Sequence, residues 1–306
     1  MTLMVGERYS RCPVCASPVV AWRSKQAGGH LYTIDRCVSC GFAFVNPRPS
    51  MAFLAEYYSK VGLGRSGTGH VNRDLESVIA TERRDPNSTI DARRIVATVR
   101  SMLGSAAGKT FLDVGCGYGF FSREALNAGF DVRALELAEN ERAIAHEMTG
   151  LTPSACMFEE YAAPPGSMSA IVMSQILEHA HDIEAWVHKA NVLLTSNGVL
   201  AIALPNFGSV FRRLLQEKDP YITPPEHLNY FSANSLSKLL RSQGFVVEKV
   251  EWVSRIPMDA VVRRLPGLAA VLLPIIRLAS KASMKLVDAL RLGMMINIYA
   301  RKAAVA

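Results

Sequence analysis

In the stretch Phe111-Leu-Asp-Val-Gly-Cys-Gly-Tyr-Gly-Phe-Phe121 a short apolar run stops at Asp113 and breaks into three alternating glycines. Phe111, Leu112 and Val114 suit a buried strand, and Phe121, Ala125 and Leu126 fall on one face of a helix running from Phe120 to Ala128. Strand, glycine turn and helix make the first unit of a doubly wound sheet. Ligands of such sheets sit beyond the carboxyl ends of the strands, where glycines admit backbone N–H groups without a Cβ in the way. A dinucleotide fingerprint would need a glycine at position 120, which is Phe120, so the spacing argues against NAD.

The run Asp113-Val-Gly-Cys-Gly-Tyr-Gly119 resembles motif I of the class I S-adenosylmethionine-dependent methyltransferases. The chemistry agrees with that resemblance. A cofactor carrying a sulfonium and an ammonium, and no phosphate, favours a carboxylate at the loop. After a second apolar run, Val132 to Leu135, Glu136 stands where an acid would accept hydrogen bonds from both ribose hydroxyls. The alternative for Glu136 is a solvated acid at a strand end. The resemblance implies a cofactor site built from Asp113, Gly115, Cys116, Gly117, Gly119, Glu136 and Leu137, with Phe158, Ser174 and Gln175 from later strand ends. Cys116 is small enough for the loop and need not react; Cys156 reads as core.

Upstream, Cys12-Pro-Val-Cys15 and Cys37-Val-Ser-Cys40 form two C-x2-C pairs separated by 21 residues. Four thiolates in a tetrahedral array select zinc, and the intervening segment reads as a hairpin turning at Gly28-Gly29. A redox dithiol would want one isolated pair beside a βαβ unit. Cys12, Cys15, Cys37 and Cys40 are therefore expected to hold a structural Zn2+ that folds about forty residues too small for a core of their own.

Three regions are expected: a zinc ribbon at 1–49, a helical linker at 50–107 and the methyltransferase domain at 108–306. The linker carries helices at Met51 to Tyr58 and Ile90 to Leu103, with a Gly/Ser-rich loop from Gly62 to Gly69 between them. In the family such helices often lie over the cofactor as a lid. The domain alternates strands and helices, which implies a Rossmann-like, mostly parallel sheet. Seven strands are expected: ends at Asp113 and Glu136, a third near Ser154 to Phe158, then Ala170 to Ser174, Val199 to Leu204, and a hairpin from Phe245 to Trp252 with Met294 to Arg301.

Methyl transfer to a hydroxyl needs alignment and removal of a proton, so a base near the strand ends is sought. His179 follows the fourth strand, and His227 lies in Pro225-Glu-His-Leu-Asn-Tyr-Phe231, within the segment that crosses the pocket in this fold. Both are candidates; the structural alternatives are a helix-start histidine bonded to a neighbouring loop and an anchor of the Pro224-Pro225 turn. Tyr230 and Phe231 are expected in the pocket wall. Gln175-Ile-Leu-Glu-His179 resembles the Glu-x-x-Glu-His of quinone-biosynthesis O-methyltransferases, whose acids and histidine can hold a divalent ion, but Gln175 replaces the first acid.

Charge is concentrated at one end. From Trp252 onward nine basic residues face two acids, so the whole formal charge of +7 resides there and the preceding 251 residues are neutral overall. A nucleic-acid enzyme would more usually carry its basic face around the active cleft. Residues 257–291 read as a helical insertion. Leu265 to Ile276 lacks charge for twelve residues, short of the roughly twenty that span a bilayer. It reads as a helical subdomain or dimer face, or as a surface touching membrane or a lipid-linked substrate. Met1 to Ser10 lacks a secretory signal, so a cytoplasmic protein, peripheral at most to the inner membrane face, is expected.

The resulting expectation is a methyltransferase acting on a hydroxyl, or less readily an amine, of a sugar-like or lipid-linked small molecule. Two competitors are a ribosomal RNA methyltransferase with a ribbon for RNA and a non-catalytic ribbon or membrane-binding module with a degenerate cofactor fold. The neutral first 251 residues oppose the former, and the intact glycines with Glu136 oppose the latter.

Overall fold

The computed structural model describes residues 6–61, 73–254 and 283–303. The chain begins with strands β1 (Val19–Ala27), β2 (His30–Cys37) and β3 (Ala43–Val45), followed by helices α1 (Met51–Val61), α2 (Leu75–Arg84) and α3 (Asn87–Leu103). Then come β4 (Thr110–Val114), α4 (Phe120–Ala128), β5 (Asp131–Leu135), α5 (Glu139–Thr149), β6 (Met168–Ser174), α6 (Ile183–Leu193) and β7 (Leu194–Pro205). The described chain closes with α7 (Val210–Leu215), β8 (Asn229–Tyr230), α8 (Ala233–Ser242), β9 (Phe245–Val253) and β10 (Met295–Lys302).

The main sheet has the order β5-β4-β6-β7-β10-β9. Strands β5, β4, β6 and β7 are parallel neighbours, and β10 inserts antiparallel between β7 and β9. Side chains alternate across the pleat, so each central strand feeds two cores. Leu112, Ile171, Met173, Leu200 and Ile202 face Val187, Leu236 and Leu239 of α6 and α8. Phe111, Ala170, Val172, Val199 and Ala201 face Ile95, Val96 and Val99 of α3 and Ala125 of α4. This is the expected Rossmann-like layering, with six strands where seven were expected. Past Pro153 only Ser154 bridges to Leu135, exchanging backbone bonds with Ala134 and Glu136. The chain then turns away and spends Cys156, Met157 and Phe158 on the wall of a cleft.

The N-terminal ribbon does not stand apart. Its hairpin and β3 form a second sheet, β1-β2-β3-β8, whose fourth strand comes from far along the chain. Ala43 pairs with Tyr230 and Phe44 with Asn229. Phe42 lies 4.8 Å from Phe231 and stacks on Phe44 at 5.5 Å, and all three rings are fully buried. Cys12, Cys37, Cys40, Phe42 and Phe44 thereby join the same core as Leu112 and Leu200. The boundary expected at residue 49 is crossed by both a sheet and a core.

Most of the expected 257–291 insertion and the expected Gly62 to Gly69 loop lie outside the described residues; residues 283–289 are helical. Among the described residues no helix is long and apolar enough to cross a membrane.

Candidate active site

The glycine turn closes over the carboxyl end of β4. Gly115 has φ of +69°, and a Cβ there would stand 2.9 Å from Ile176 Cδ1. Gly119, with φ of +85°, starts α4, and a Cβ would press to 3.2 Å on Ala145. Only glycine meets both conditions. The turn borders a cleft of about 630 Å3, within the range of small-molecule sites. Val114, Gly115, Glu136 and Leu137 form one side; Cys156, Met157, Phe158 and Trp186 form another; Gln175, Ile176 and His179 lie at the end of β6. Met51, Leu54, Ala55 and Tyr58 of α1 complete the wall.

The expected site residues divide into wall and support. Glu136 is on the wall, its Oε2 accepting from Gly117 N at 2.9 Å and its Oε1 from Ala138 N at 2.9 Å. Asp113 is not. It is buried beneath the turn and accepts from Ser122 Oγ at 2.7 Å, and burial raises its pKa to about 7. It supports the start of α4 instead of facing a ligand. Cys116 is buried, its N–H donating to Leu135 O, and burial pushes its thiol up. Gly117 and Gly119 shape the turn without lining the cleft. Leu137 and Phe158 do line it, Phe158 tilted against Trp186 at 5.2 Å. Ser174 ends β6 outside the wall, whereas Gln175 is in the wall with φ of +57°. A non-glycine residue held in that left-handed region marks stored strain beside the cleft. Cys156, expected in the core, is a wall residue.

The two candidate histidines occupy different places. His179 lines the cleft; His227 does not, and stands behind it with ring centroids 4.8 Å apart and planes at 78°. His227 lines a much smaller rear cavity with Glu178, Arg212, Asp219 and Tyr221. Tyr230 also lies at that rear cavity and Phe231 in the core, so neither is part of the main wall as expected. His179 Nδ1 meets Glu226 O at 2.9 Å, and His227 Nδ1 meets Tyr221 O at 2.8 Å. A carbonyl can only accept, so each Nδ1 carries the proton and each Nε2 of the neutral ring is a lone pair. Burial, then the neighbouring His227, lowers the His179 pKa to about 3, and burial lowers that of His227. Glu178 is buried with neither carboxylate oxygen hydrogen-bonded, and burial raises its pKa to about 8.

Among the described residues, two groups of side chains have the spacing of metal donors. Cys12, Cys15, Cys37 and Cys40 bring their sulfurs within 4.8 Å of one another, with Cys12 Sγ 3.7 Å from Cys40 Sγ and Cys15 Sγ 3.5 Å from Cys37 Sγ, about the edge of a tetrahedron with Zn–S of about 2.3 Å. Val14 N donates to Cys12 Sγ and Cys40 N to Cys37 Sγ, contacts that favour thiolates. Glu178, His179 and His227 form the second group. Gln175, in place of the first acid, directs its Nε2 to Ala203 O at 3.4 Å.

Several wall residues escaped sequence reasoning. Glu226 lines the cleft and accepts from Tyr57 Oη of α1 at 3.0 Å; only the pairing of β3 with β8 brings its loop there. Among the described residues of the wall the charged side chains are Glu136, Glu159 and Glu226, with no lysine or arginine. The cleft suits a cationic ligand without phosphates.

With that geometry, the fold and site define a class I S-adenosylmethionine-dependent methyltransferase. The family described as "Methyltransferase domain" matches residues 88–250, just over half of the chain, and the chain belongs to it. It is similar to the ubiquinone biosynthesis O-methyltransferase of Cupriavidus pinatubonensis, 27% identical over 143 residues, 44% of this chain and 57% of that protein. The enzyme of the same name from Bordetella parapertussis is 33% identical over 118 residues, 35% of this chain and 48% of that one. The match thus spans about half the length of these curated relatives. A chain of the solved complex between the Haloferax volcanii Trm112 methyltransferase activator and a methyltransferase shares the fold, with a TM-score of 0.50 at 13% identity over 76% of this chain and 98% of that one.

Proposed function

We propose that this chain transfers the methyl group of S-adenosylmethionine to a hydroxyl oxygen of a small, sugar-like or lipid-linked molecule, with His179 as the base. The observation that carries the reading is a neutral histidine in the wall of an acidic cleft, its Nδ1–H tied to Glu226 O and its Nε2 left unprotonated. S-adenosylmethionine, when bound, supplies a methyl group on a sulfonium leaving group. Glu136 would accept from the ribose hydroxyls, Gly115 would let the ligand approach the backbone, and Phe158 with Leu137 would flank the adenine. Glu226 and Glu159 keep the remaining wall favourable to positive charge.

A base with a pKa of about 3 is weak against an alcohol but adequate here. As the oxygen gains its methyl group it becomes a protonated ether, far more acidic than imidazolium, so His179 can take the proton during transfer. Transfer to oxygen is further supported by the curated relatives, which are O-methyltransferases by name. The four cysteines would hold a structural zinc ion with no open position.

Calorimetry with S-adenosylmethionine, followed by incubation of the loaded protein with fractions of a low-molecular-mass cell extract, tests the reading. The expected result is saturable binding and release of S-adenosylhomocysteine with label in a methyl ether. Absence of binding, or label recovered only in RNA, would overturn it.

A further inference from the structure

A buried cation joins the ribbon to the catalytic end. Arg48, in the chain leaving β3, is 2% exposed, and among the described residues it has no carboxylate within ion-pair distance. Burial alone would evict such a charge. Its guanidinium instead grips two acceptors of one segment: Nη1 donates to the backbone Leu228 O at 2.9 Å and Nη2 to the side-chain Asn229 Oδ1 at 2.7 Å. The amide of Asn229 then donates through Nδ2 to Ala180 O at 2.7 Å, and Leu228 N donates to Glu178 O at 2.9 Å. The next proline, Pro49, offers its carbonyl to His181 Nε2 at 3.1 Å.

These bonds bracket both histidines. Leu228 directly follows His227, and Glu178 and Ala180 flank His179. The carbonyl that orients His179 belongs to Glu226, in the loop that Arg48 grips. Lysine cannot substitute, since its single ammonium cannot reach two acceptors in the fixed fork that a guanidinium presents.

We infer that Arg48 is a positioning residue: it clamps the loop carrying Glu226 and His227 onto the turn carrying His179, and so fixes the tautomer and orientation of the His179 ring. The catalytic consequence rests on the role proposed for His179, but the positioning itself is measurable without an acceptor. The experiment is 15N NMR of histidine-labelled full-length protein, with S-adenosylmethionine affinity measured in parallel on Arg48→Lys, Arg48→Met and Asn229→Ala. In the wild-type protein the ring nitrogens of His179, assigned by His179→Gln, should report the Nδ1–H tautomer alone. In the folded variants the Nε2–H form should rise to about a third or more of the population, while cofactor affinity changes by less than about twofold. Asn229→Ala keeps the question answerable if the buried arginine variants do not fold, because it cuts the same path with a smaller perturbation. An unchanged His179 tautomer in the folded variants would overturn the inference. So would cofactor binding that falls in step with the tautomer change, which would make Arg48 a general scaffold residue.

Discussion

The two ends of the cleft are built in opposite ways. The cofactor end comes from one continuous stretch: β4, the glycine turn, α4 and β5 place Gly115, Glu136 and Leu137 within about twenty residues of chain. The end that carries His179 is assembled from three distant segments, namely the turn after β6, the loop before β8 and the exit from the ribbon. Local geometry fixes the first end through glycines that no other residue can replace. Tertiary pairing fixes the second through β3 on β8 and the Arg48 fork. Damage to the ribbon should therefore reach the end that carries His179 directly, and the glycine turn only through the core the two share.

The largest expected effect comes from withdrawing the zinc ion proposed for the four cysteines. Structural zinc contributes about 10 kcal/mol or more in small zinc domains, comparable with the whole stability of a globular domain. Because ribbon and sheet share one core through Phe42, Phe44 and Phe231, chelation should lower both in a single calorimetric transition. Two separate transitions would show that the ends are independent. Next in size is His179→Ala, expected to slow turnover about a hundredfold with cofactor affinity retained; turnover within a few-fold of wild type would remove the base from the catalytic end. Glu136→Ala should act at the other end, weakening S-adenosylmethionine by about 1.5–3 kcal/mol for lost charged hydrogen bonds, as read by calorimetry. Equal affinity in that variant would dissociate Glu136 from the cofactor.

The most gradual effect is a slope with pH. Glu178 is held protonated to about pH 8 against an ordinary value of 4.5, so between those values the unfolded chain releases a proton the native chain keeps. Stability then falls as pH rises through the window, by at most about 1.4 kcal/mol per pH unit. Asp113 contributes in the same direction between 3.8 and about 7, whereas His179, pushed down from 6.5 to about 3, makes stability rise with pH below 6.5. Glu178→Gln should flatten the loss between pH 5 and 8 in urea titrations, leaving the smaller Asp113 contribution. A slope equal to wild type would mean that Glu178 is ionised in the native protein.

What could be read from residues alone follows the same division. The Rossmann-like sheet and the wall positions of Gly115, Glu136 and Leu137 were legible because strand period, glycine spacing and an acid at the next strand end are all local signals. The two C-x2-C pairs announced the cysteine cluster for the same reason. Asp113 was misplaced on the wall because a carboxylate at a strand end gives no sign that Ser122, nine residues on, will cap it in the core. His227 was placed at the front of the cleft because its loop was read as crossing open space. Its burial behind His179 depends on β8 completing the ribbon's sheet, a pairing of two residues per strand that no periodicity reveals. The same blindness hid Glu226 and Arg48, and the unpartnered carboxylate of Glu178 is visible only once its surroundings are known. The expected seventh strand failed because pairing ends with the one bridge at Ser154, after which Cys156, Met157 and Phe158 turn into the cleft wall.

The tie between Arg48 and Leu228 spans 180 positions of sequence. On a ribosome, where the N-terminal part emerges first, the cysteine hairpin can close long before the last strand of its sheet has been made. The half-built sheet must wait with Phe42 and Phe44 uncovered through most of synthesis, so the newborn chain is most vulnerable to aggregation in that interval. A chain cut short before its final third should keep that exposure permanently.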